Sequence, residues 1–336
     1  MSNKIRGRQT AEIENVYIES SAAIVGEKEG DGPLAECFDI VMPSNEWNEE
    51  TWEKTESKMQ REAVKLAASK AKVKLSEIDK AFSGDLLNQC IGAGFGFREL
   101  DIPFYGIYGA CSTMIEGISL ASTMIDGGFA NRCVAVTSSH YCTAERQYRN
   151  PLEYGGQRTP NSQWTVTGAG AAVLGKYGDI RVTHITTGKI CDMGVKDANN
   201  MGGAMAPAAY ETIKAHFTET NRSPSDYDLI ITGDLGEVGS DILVDLLTRD
   251  GFDIIKNHRD CGLMIFDKER QDVHSGGSGC GCIASVLCGH FIDEMKNKRL
   301  KRILAVGTGA LLSPTSSLQG ESVPSVAHAV ALEAVE

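Results

Sequence analysis

Ser76-Glu77-Ile78-Asp79-Lys80-Ala81-Phe82-Ser83-Gly84-Asp85-Leu86 returns as Ser225-Asp226-Tyr227-Asp228-Leu229-Ile230-Ile231-Thr232-Gly233-Asp234-Leu235, 149 positions later. Each copy reads as a helix end, a short buried strand and a Gly-Asp turn. Working outward, Cys111 to Gly128 reads as a helix followed by the strand Cys133-Val134-Ala135-Val136-Thr137-Ser138. Cys280 to Glu294 and then Arg302 to Gly307 repeat that order about 170 positions on. Two echoes in one order point to duplication, with halves 1–178 and 179–336 dividing near Gly178. Helical stretches alternate with short apolar runs such as Ile102 to Tyr108, Ala171 to Leu174 and Leu229 to Ile231. This predicts mostly parallel sheets covered on both faces. Ligand sites then belong at the carboxyl ends of strands, where the Gly-rich turns lie. Residues 50–74 carry Met59, Ala63, Leu66 and Ala67 at helical spacing, predicting an amphipathic surface helix.

The composition suits a folded α/β protein. The chain has 336 residues, 42% hydrophobic and 23% charged, with a formal charge of −12, enough for one large or two medium domains. That charge, with no local run of Lys and Arg, excludes a general nucleic-acid surface. No apolar stretch approaches the ~20 residues that span a bilayer, and Met1 to Gly7 leads into no signal-type segment. The expected location is cytoplasmic, peripheral to a membrane at most. Ten cysteines are scattered through apolar runs and read as reduced thiols that pack as small hydrophobes.

Cys111 stands out among them. The run ending at Gly109-Ala110 gives way to Cys111-Ser112-Thr113 at the start of a helix. Unpaired N–H groups and the helix dipole there favour a thiolate. The same geometry also cradles a carboxylate, so nucleophile and anion-site readings compete. Ser138-Ser139-His140 closes the next strand. Arg146, Arg149 and Arg158 lie near glycine turns and could gather an anion, or else be surface arginines paired with Glu145 or Glu153. His274-Ser275-Gly276-Gly277-Ser278-Gly279-Cys280 is a Gly-rich turn opening a helix. His274 could act as a base toward Cys111 if the halves face each other, or be a solvent-exposed turn histidine. Cys280, Cys282, Cys288 and His290 point around a helix and not at one ion, so no zinc site is expected. Gly92-Ala93-Gly94-Phe95-Gly96 lacks the dinucleotide spacing, so no cofactor is expected.

Gly109-Ala110-Cys111-Ser112-Thr113-Met114-Ile115-Glu116-Gly117 resembles the thiolase superfamily of thiolases and ketoacyl synthases. Thr165 to Leu174 and Gly307 to Pro314 resemble its strand and closing Gly-rich loop. The resemblance implies a thiolase-like αβαβα five-layer sandwich of two duplicated halves, in a homodimer. Further stretches, Gly84 to Gln89, Thr143 to Gln147, Glu153 to Gln157, Met201 to Ala208, Cys261 to Met264 and Gly276 to Cys280, resemble a sporulation family within that superfamily over nearly the whole chain. This implies a non-catalytic protein that binds dipicolinic acid (pyridine-2,6-dicarboxylate), as free acid or calcium chelate. It implies support for uptake into the developing spore with membrane proteins of the same operon, at the spore inner membrane. For a flat dianion the residues expected to bind are Cys111, Ser112, Ser138, Ser139, His140, Arg146, Arg158, Gly276 and Gly277. Asp85 and Asp234 would orient partners or approach calcium. Thr232-Gly233-Asp234-Leu235 stands where ketoacyl synthases place a histidine, and the asparagine motif and second cysteine of thiolases have no counterpart. The rival reading is an acyltransferase with Cys111 as nucleophile on an acyl-CoA or acyl carrier and His274 as base.

Overall fold

A computed structural model describes residues 4–148 and 158–335. The first arm of the chain runs β1 (Thr10–Glu12), β2 (Tyr17–Val25), α1 (Glu27–Gly30), β3 (Ile40–Val41), α2 (Trp52–Lys70), β4 (Lys80–Gly84), α3 (Ile91–Phe97), β5 (Phe104–Gly106), α4 (Thr113–Asp126), β6 (Cys133–Ser139), α5 (Tyr141–Tyr148), β7 (Trp164–Thr165) and β8 (Gly168–Gly175). The second runs β9 (Ile180–Thr186), α6 (Met201–Thr220), β10 (Leu229–Thr232), α7 (Gly236–Arg249), β11 (His258–Asp260), α8 (Cys261–Met264), β12 (Gly277–Ser278), α9 (Cys280–Val286), α10 (Ile292–Lys296), β13 (Arg302–Ala310), α11 (Pro314–Leu318) and β14 (Ser325–Ala334). A π turn, Leu287–Phe291, joins α9 to α10.

Strand order repeats between the arms: β5-β4-β6-β8-β2 in one, β11-β10-β13-β14-β9 in the other. The two sheets join where β2 meets β9, at Tyr17 opposite Arg181 and Ile18 opposite Ile180. The opening echo is structural as well. Glu77 accepts the Lys74 N–H at 2.8 Å and Asp226 accepts the Ser223 N–H at 2.7 Å, each closing a 3-10 turn before its strand. The expectation of mostly parallel sheets needs correcting. Within each arm's sheet the three strands β5, β4 and β6, and likewise β11, β10 and β13, are mutually parallel, and the short pairs β2–β3 and β7–β12 are parallel too. Strands β8 and β14 run antiparallel to both neighbours. Parallel neighbours are joined through crossing helices, whereas β14 turns back from the end where β13 stops.

Five layers follow. Helix α4 packs on β4, β6 and β8 of one sheet and on β13 and β14 of the other. It is accordingly apolar on most sides, with Met114, Ile115, Ile118, Ala121 and Ile125 buried. Helix α9 lies beside it against β2, β6 and β8. Helices α2 and α3 cover the outer face of one sheet, α6 and α7 that of the other. Helix α2 starts at Thr51, whose side chain caps the Lys54 N–H, and it buries Met59, Ala63, Val64 and Ala67. The arms do not form separate cores: one cluster runs from Ile18, Ile118 and Leu174 to Ile283, Phe291 and Leu332.

Backbone contact between α9 and β8 is possible only because of Gly170. A Cβ there would sit 2.1 Å from the Ala284 carbonyl oxygen, and that neighbour is helix backbone locked between two sheets. Gly170→Ala is therefore expected to cost about 3 kcal/mol, read as a lowered urea midpoint at unchanged slope. A midpoint equal to wild type would show that the central layer yields.

Candidate functional site

The turn before α4 is built from its own short side chains. Ser112 Oγ donates to the Gly109 carbonyl at 2.7 Å, and Thr113 Oγ1 donates to the Ala110 carbonyl at 2.6 Å while accepting the Gly109 N–H at 3.0 Å. Ala110 takes a left-handed conformation, φ 49°, at the point where the chain doubles back. A Cβ on Gly309 would lie 2.2 Å from the Gly109 carbonyl oxygen, so β13 of the second arm passes directly against this turn. Cys111 is thereby fixed on the floor of a cavity of about 240 Å³. Leu86, Ala144 and Tyr148 form one wall, Ala198, Asn199 and Met201 another, and Thr165, Ser278 and Glu145 supply polar groups.

Asp234 lies against the Cys111 thiol. The Asp234 carboxylate accepts from Thr308 Oγ1 at 2.7 Å, Ser278 Oγ at 3.1 Å and the Gly279 N–H at 2.9 Å. Burial above all, and then the charge and hydrogen bond of Asp234, hold the Cys111 thiol well above its ordinary pKa. The sequence expectation of a thiolate stabilised by the helix start is reversed. Helix α4 begins at Thr113, beyond Cys111, and burial and a neighbouring anion both oppose a thiolate there. Nor does His274 serve as base. Its Nδ1 is 2.8 Å from the Thr159 carbonyl and its Nε2 is 2.9 Å from Asp272, and it does not line the cavity.

The other expected ligand residues disperse. Ser112 spends its hydroxyl on its own turn. Ser138 Oγ donates to Glu56 at 3.0 Å and accepts from Gln60 at 2.7 Å, facing α2. Ser139 Oγ donates to the Val166 carbonyl at 2.7 Å. His140, fully buried, donates from Nε2 to the Asn45 carbonyl at 2.8 Å and accepts the Cys142 N–H at Nδ1, and burial lowers its pKa. Arg146 is half-exposed on Glu53, with Trp52 beneath its guanidinium. Arg158 is only 9% exposed but is turned to Asp272 at 2.8 Å, 4.7 Å over the Trp164 ring. Gly276 and Gly277 pair with Trp164 through their carbonyl and strand contacts. Arg149 and the run Glu153 to Gln157 lie outside the described residues. Of the expected set only Cys111 lines the cavity, with Asp234 directly behind it. Glu145, Thr165, Met201 and Ser278 lie inside motifs named above, but the cations and glycines beside them carry the stronger local signal. Among the described residues no three His, Cys, Asp or Glu side chains are grouped to hold a metal ion.

Asp85 belongs to a second buried acidic group. Its Oδ1 accepts the Leu87 N–H at 2.8 Å and its Oδ2 the Ala93 N–H at 2.7 Å. Glu56, fully buried, accepts from Ser138 and from Thr143 at 2.7 Å. Both carboxylates border Gly92, where a Cβ would be 3.1 Å from Asp85 Oδ2 and 3.5 Å from Glu56 Cδ. Burial, and then the neighbouring Asp85, push the Glu56 carboxyl up. The folded protein thus keeps a proton that the unfolded chain releases above the ordinary carboxylate range. Stability from this pair is complete at acidic pH and is lost as pH rises through neutrality. Glu56→Gln, which keeps a hydrogen there permanently, is expected to flatten the fall of Tm with rising pH. A profile as steep as wild type would place the titration elsewhere.

Comparison with known proteins fits this architecture. Residues 7–333 match the family model of stage V sporulation protein AD. Stage V sporulation protein AD of Bacillus subtilis (strain 168) is 46% identical over 332 residues, covering 98% of each chain. Among solved structures, 3-oxoacyl-[acyl-carrier-protein] synthase III of Aquifex aeolicus VF5 aligns with a TM-score of 0.57 at 13% identity, over 95% of this chain and 99% of its own. Cerulenin-bound OleA of Xanthomonas campestris aligns at 0.62 and 15%, over 96% and 98%. These two share the thiolase-like five-layer fold. With the family model spanning nearly its whole length, the chain belongs to the stage V sporulation protein AD family.

Proposed function

We propose that this sporulation protein is a non-catalytic carrier that binds dipicolinic acid in the cavity floored by Cys111. The observation that carries the reading is the Cys111–Asp234 contact: burial and the carboxylate behind it hold the thiol protonated, and among the described residues no histidine lines the cavity to activate it. Apolar walls from Leu86, Ala110, Ala144 and Met201 suit the flat face of an aromatic ring, and Thr165, Ser278 and Asn199 can meet its oxygens. The described walls hold Glu145 and no Lys or Arg, so they favour dipicolinate with its charge cancelled, as the calcium chelate. Asp85 and Asp234 are saturated by internal donors and do not reach that ligand.

The rival reading draws on the position of Cys111 before α4 in a fold shared with an acyl-carrier synthase. It requires a covalent acyl adduct on Cys111 after incubation with acyl-CoA, seen by mass spectrometry. No helix among the described residues is long and apolar enough to cross a membrane. On this reading the protein is made in the cytoplasm and becomes peripheral to the spore inner membrane through the membrane proteins of the stage V sporulation A operon. Strand β5 is an exposed sheet edge flanked by exposed Ile91, Phe95, Phe104 and Tyr105, which suits a homodimer paired along that edge. A monomer by light scattering would rule the dimer out, and Tyr105→Asp should produce one.

Calorimetric titration should show saturable binding of the 2,6-dicarboxylate, tightened by calcium, and none of pyridine-3,5-dicarboxylate. Filling the cavity with Ala144→Trp should abolish it. Heat from both isomers, or from neither, would overturn the reading.

A further inference from the structure

The Cys111 cavity has a neighbour. A surface cleft of about 300 Å³ is lined by Leu87, Asn88, Gln89, Tyr108, Gln147, Leu311, Ser313 and Pro314, and it shares two residues with the cavity, Tyr148 and Leu312. Those two side chains stand between the cavity and the cleft. Tyr148, at the end of α5, donates its hydroxyl to the Leu86 carbonyl at 2.7 Å, and the Tyr108 hydroxyl lies 3.1 Å from it. With the Tyr148 proton committed to Leu86, Tyr108 is the donor in that second bond. Tyr108 is 44% exposed, so its ring borders solvent.

The helix behind the ring is stitched down independently. Thr143 is bonded to Glu56 at 2.7 Å, the Gln147 side chain accepts the Asn88 N–H at 3.0 Å, and its Nε2 donates to the Leu86 carbonyl at 3.2 Å. Tyr148 can therefore rotate out of the partition while α5 stays in place. Both hydroxyls would then find water, so each lost bond costs only about 1 kcal/mol net.

We propose that Tyr148 is the gate between the surface cleft and the Cys111 cavity, and that Tyr108 is the latch that keeps it shut. The gate sets which ligands enter by width: a flat ring passes a rotated phenol, and a ring with bulky substituents does not. The ligand identity rests on the dipicolinate reading, but the gate does not.

The test uses the full-length protein and an uncharged thiol reagent, methyl methanethiosulfonate, with adducts located by peptide mass spectrometry because other cysteines are half-exposed. Tyr108→Phe removes the latch bond and keeps the ring. It should speed modification of Cys111 by roughly five-fold, with Cys142 and Cys191 unchanged as internal controls. Tyr148→Ala should speed it by ten-fold or more. If Tyr148→Ala does not fold, judged by circular dichroism, Tyr108→Phe decides alone. Unchanged Cys111 rates in the folded variants would overturn the gate, because the cavity would then be reached another way. Stopped-flow binding of dipicolinate gives a second arm. Tyr108→Phe should raise association and dissociation rates by the same factor and leave Kd unchanged, and a changed Kd with unchanged rates of Cys111 modification would make Tyr108 a ligand contact instead. Absence of dipicolinate binding in the wild type would sink the ligand assignment, and the Cys111 rates would still decide the gate.

Discussion

Asp234 is the acceptor on which the centre of the molecule depends. Buried, with no cation against it among the described residues, it collects hydrogen bonds from β13 through Thr308 and from the turn before α9 through Ser278 and the Gly279 N–H, and it lies against Cys111 before α4. These segments come from both arms of the duplication and meet at the top of the central layer. An unsatisfied buried carboxylate would be costly, so the three donors and the thiol beside them are held in one arrangement. That arrangement places Cys111 and Ser278 side by side in the cavity wall. It also bears on the chemistry, because burial and the Asp234 carboxylate both push the Cys111 thiol toward its protonated form.

The duplication gave each arm a Gly-Asp turn after its second parallel strand, yet the two aspartates have diverged. Asp85 is satisfied within its own arm, by the Leu87 and Ala93 N–H groups, and shares its surroundings with Glu56. Asp234 reaches across to the other arm. Beside it Asp260 takes the role that Asp85 plays opposite, accepting the Leu235 N–H at 2.8 Å and Thr232 Oγ1 at 2.7 Å. Burial raises the Asp260 carboxyl to about 7. The fold thus carries acids near this end with no matching cations among the described residues, and the proposed reading accordingly takes a ligand whose charge is already cancelled.

Much of this was legible in the residues. The repeated Ser-to-Leu stretch, the apolar runs and the Cys111 turn located the paired arms, the strands and the cavity floor, because strands and turns are local and their patterns short-ranged. The antiparallel placement of β8 and β14 was not legible, since direction depends on the end at which a returning chain re-enters the sheet. The cavity wall was hidden for a related reason. Arg146 and Arg158 were natural partners for a dianion, but their own partners, Glu53 and Asp272, are distant in sequence and claim them first. Ser138 was likewise taken by Glu56 on α2, the other side of the sheet from the cavity. Glu145 and Ser278 sat within quoted motifs, with Tyr148 one residue beyond the first, and nothing short of the tertiary packing tells which face of α5 or of the α9 turn looks inward.

The most direct measurement is a pH titration of thiolate absorbance, comparing wild type with Cys111→Ser so that the difference reports Cys111 alone, and repeating the comparison in an Asp234→Asn background. In the wild-type background the difference should show no thiolate at neutral or mildly alkaline pH, and Asp234→Asn should move the titration downward by removing the anion behind the sulfur. A Cys111 thiolate already present at neutral pH in the wild type would contradict a non-catalytic site and return the chain to acyl-transfer chemistry.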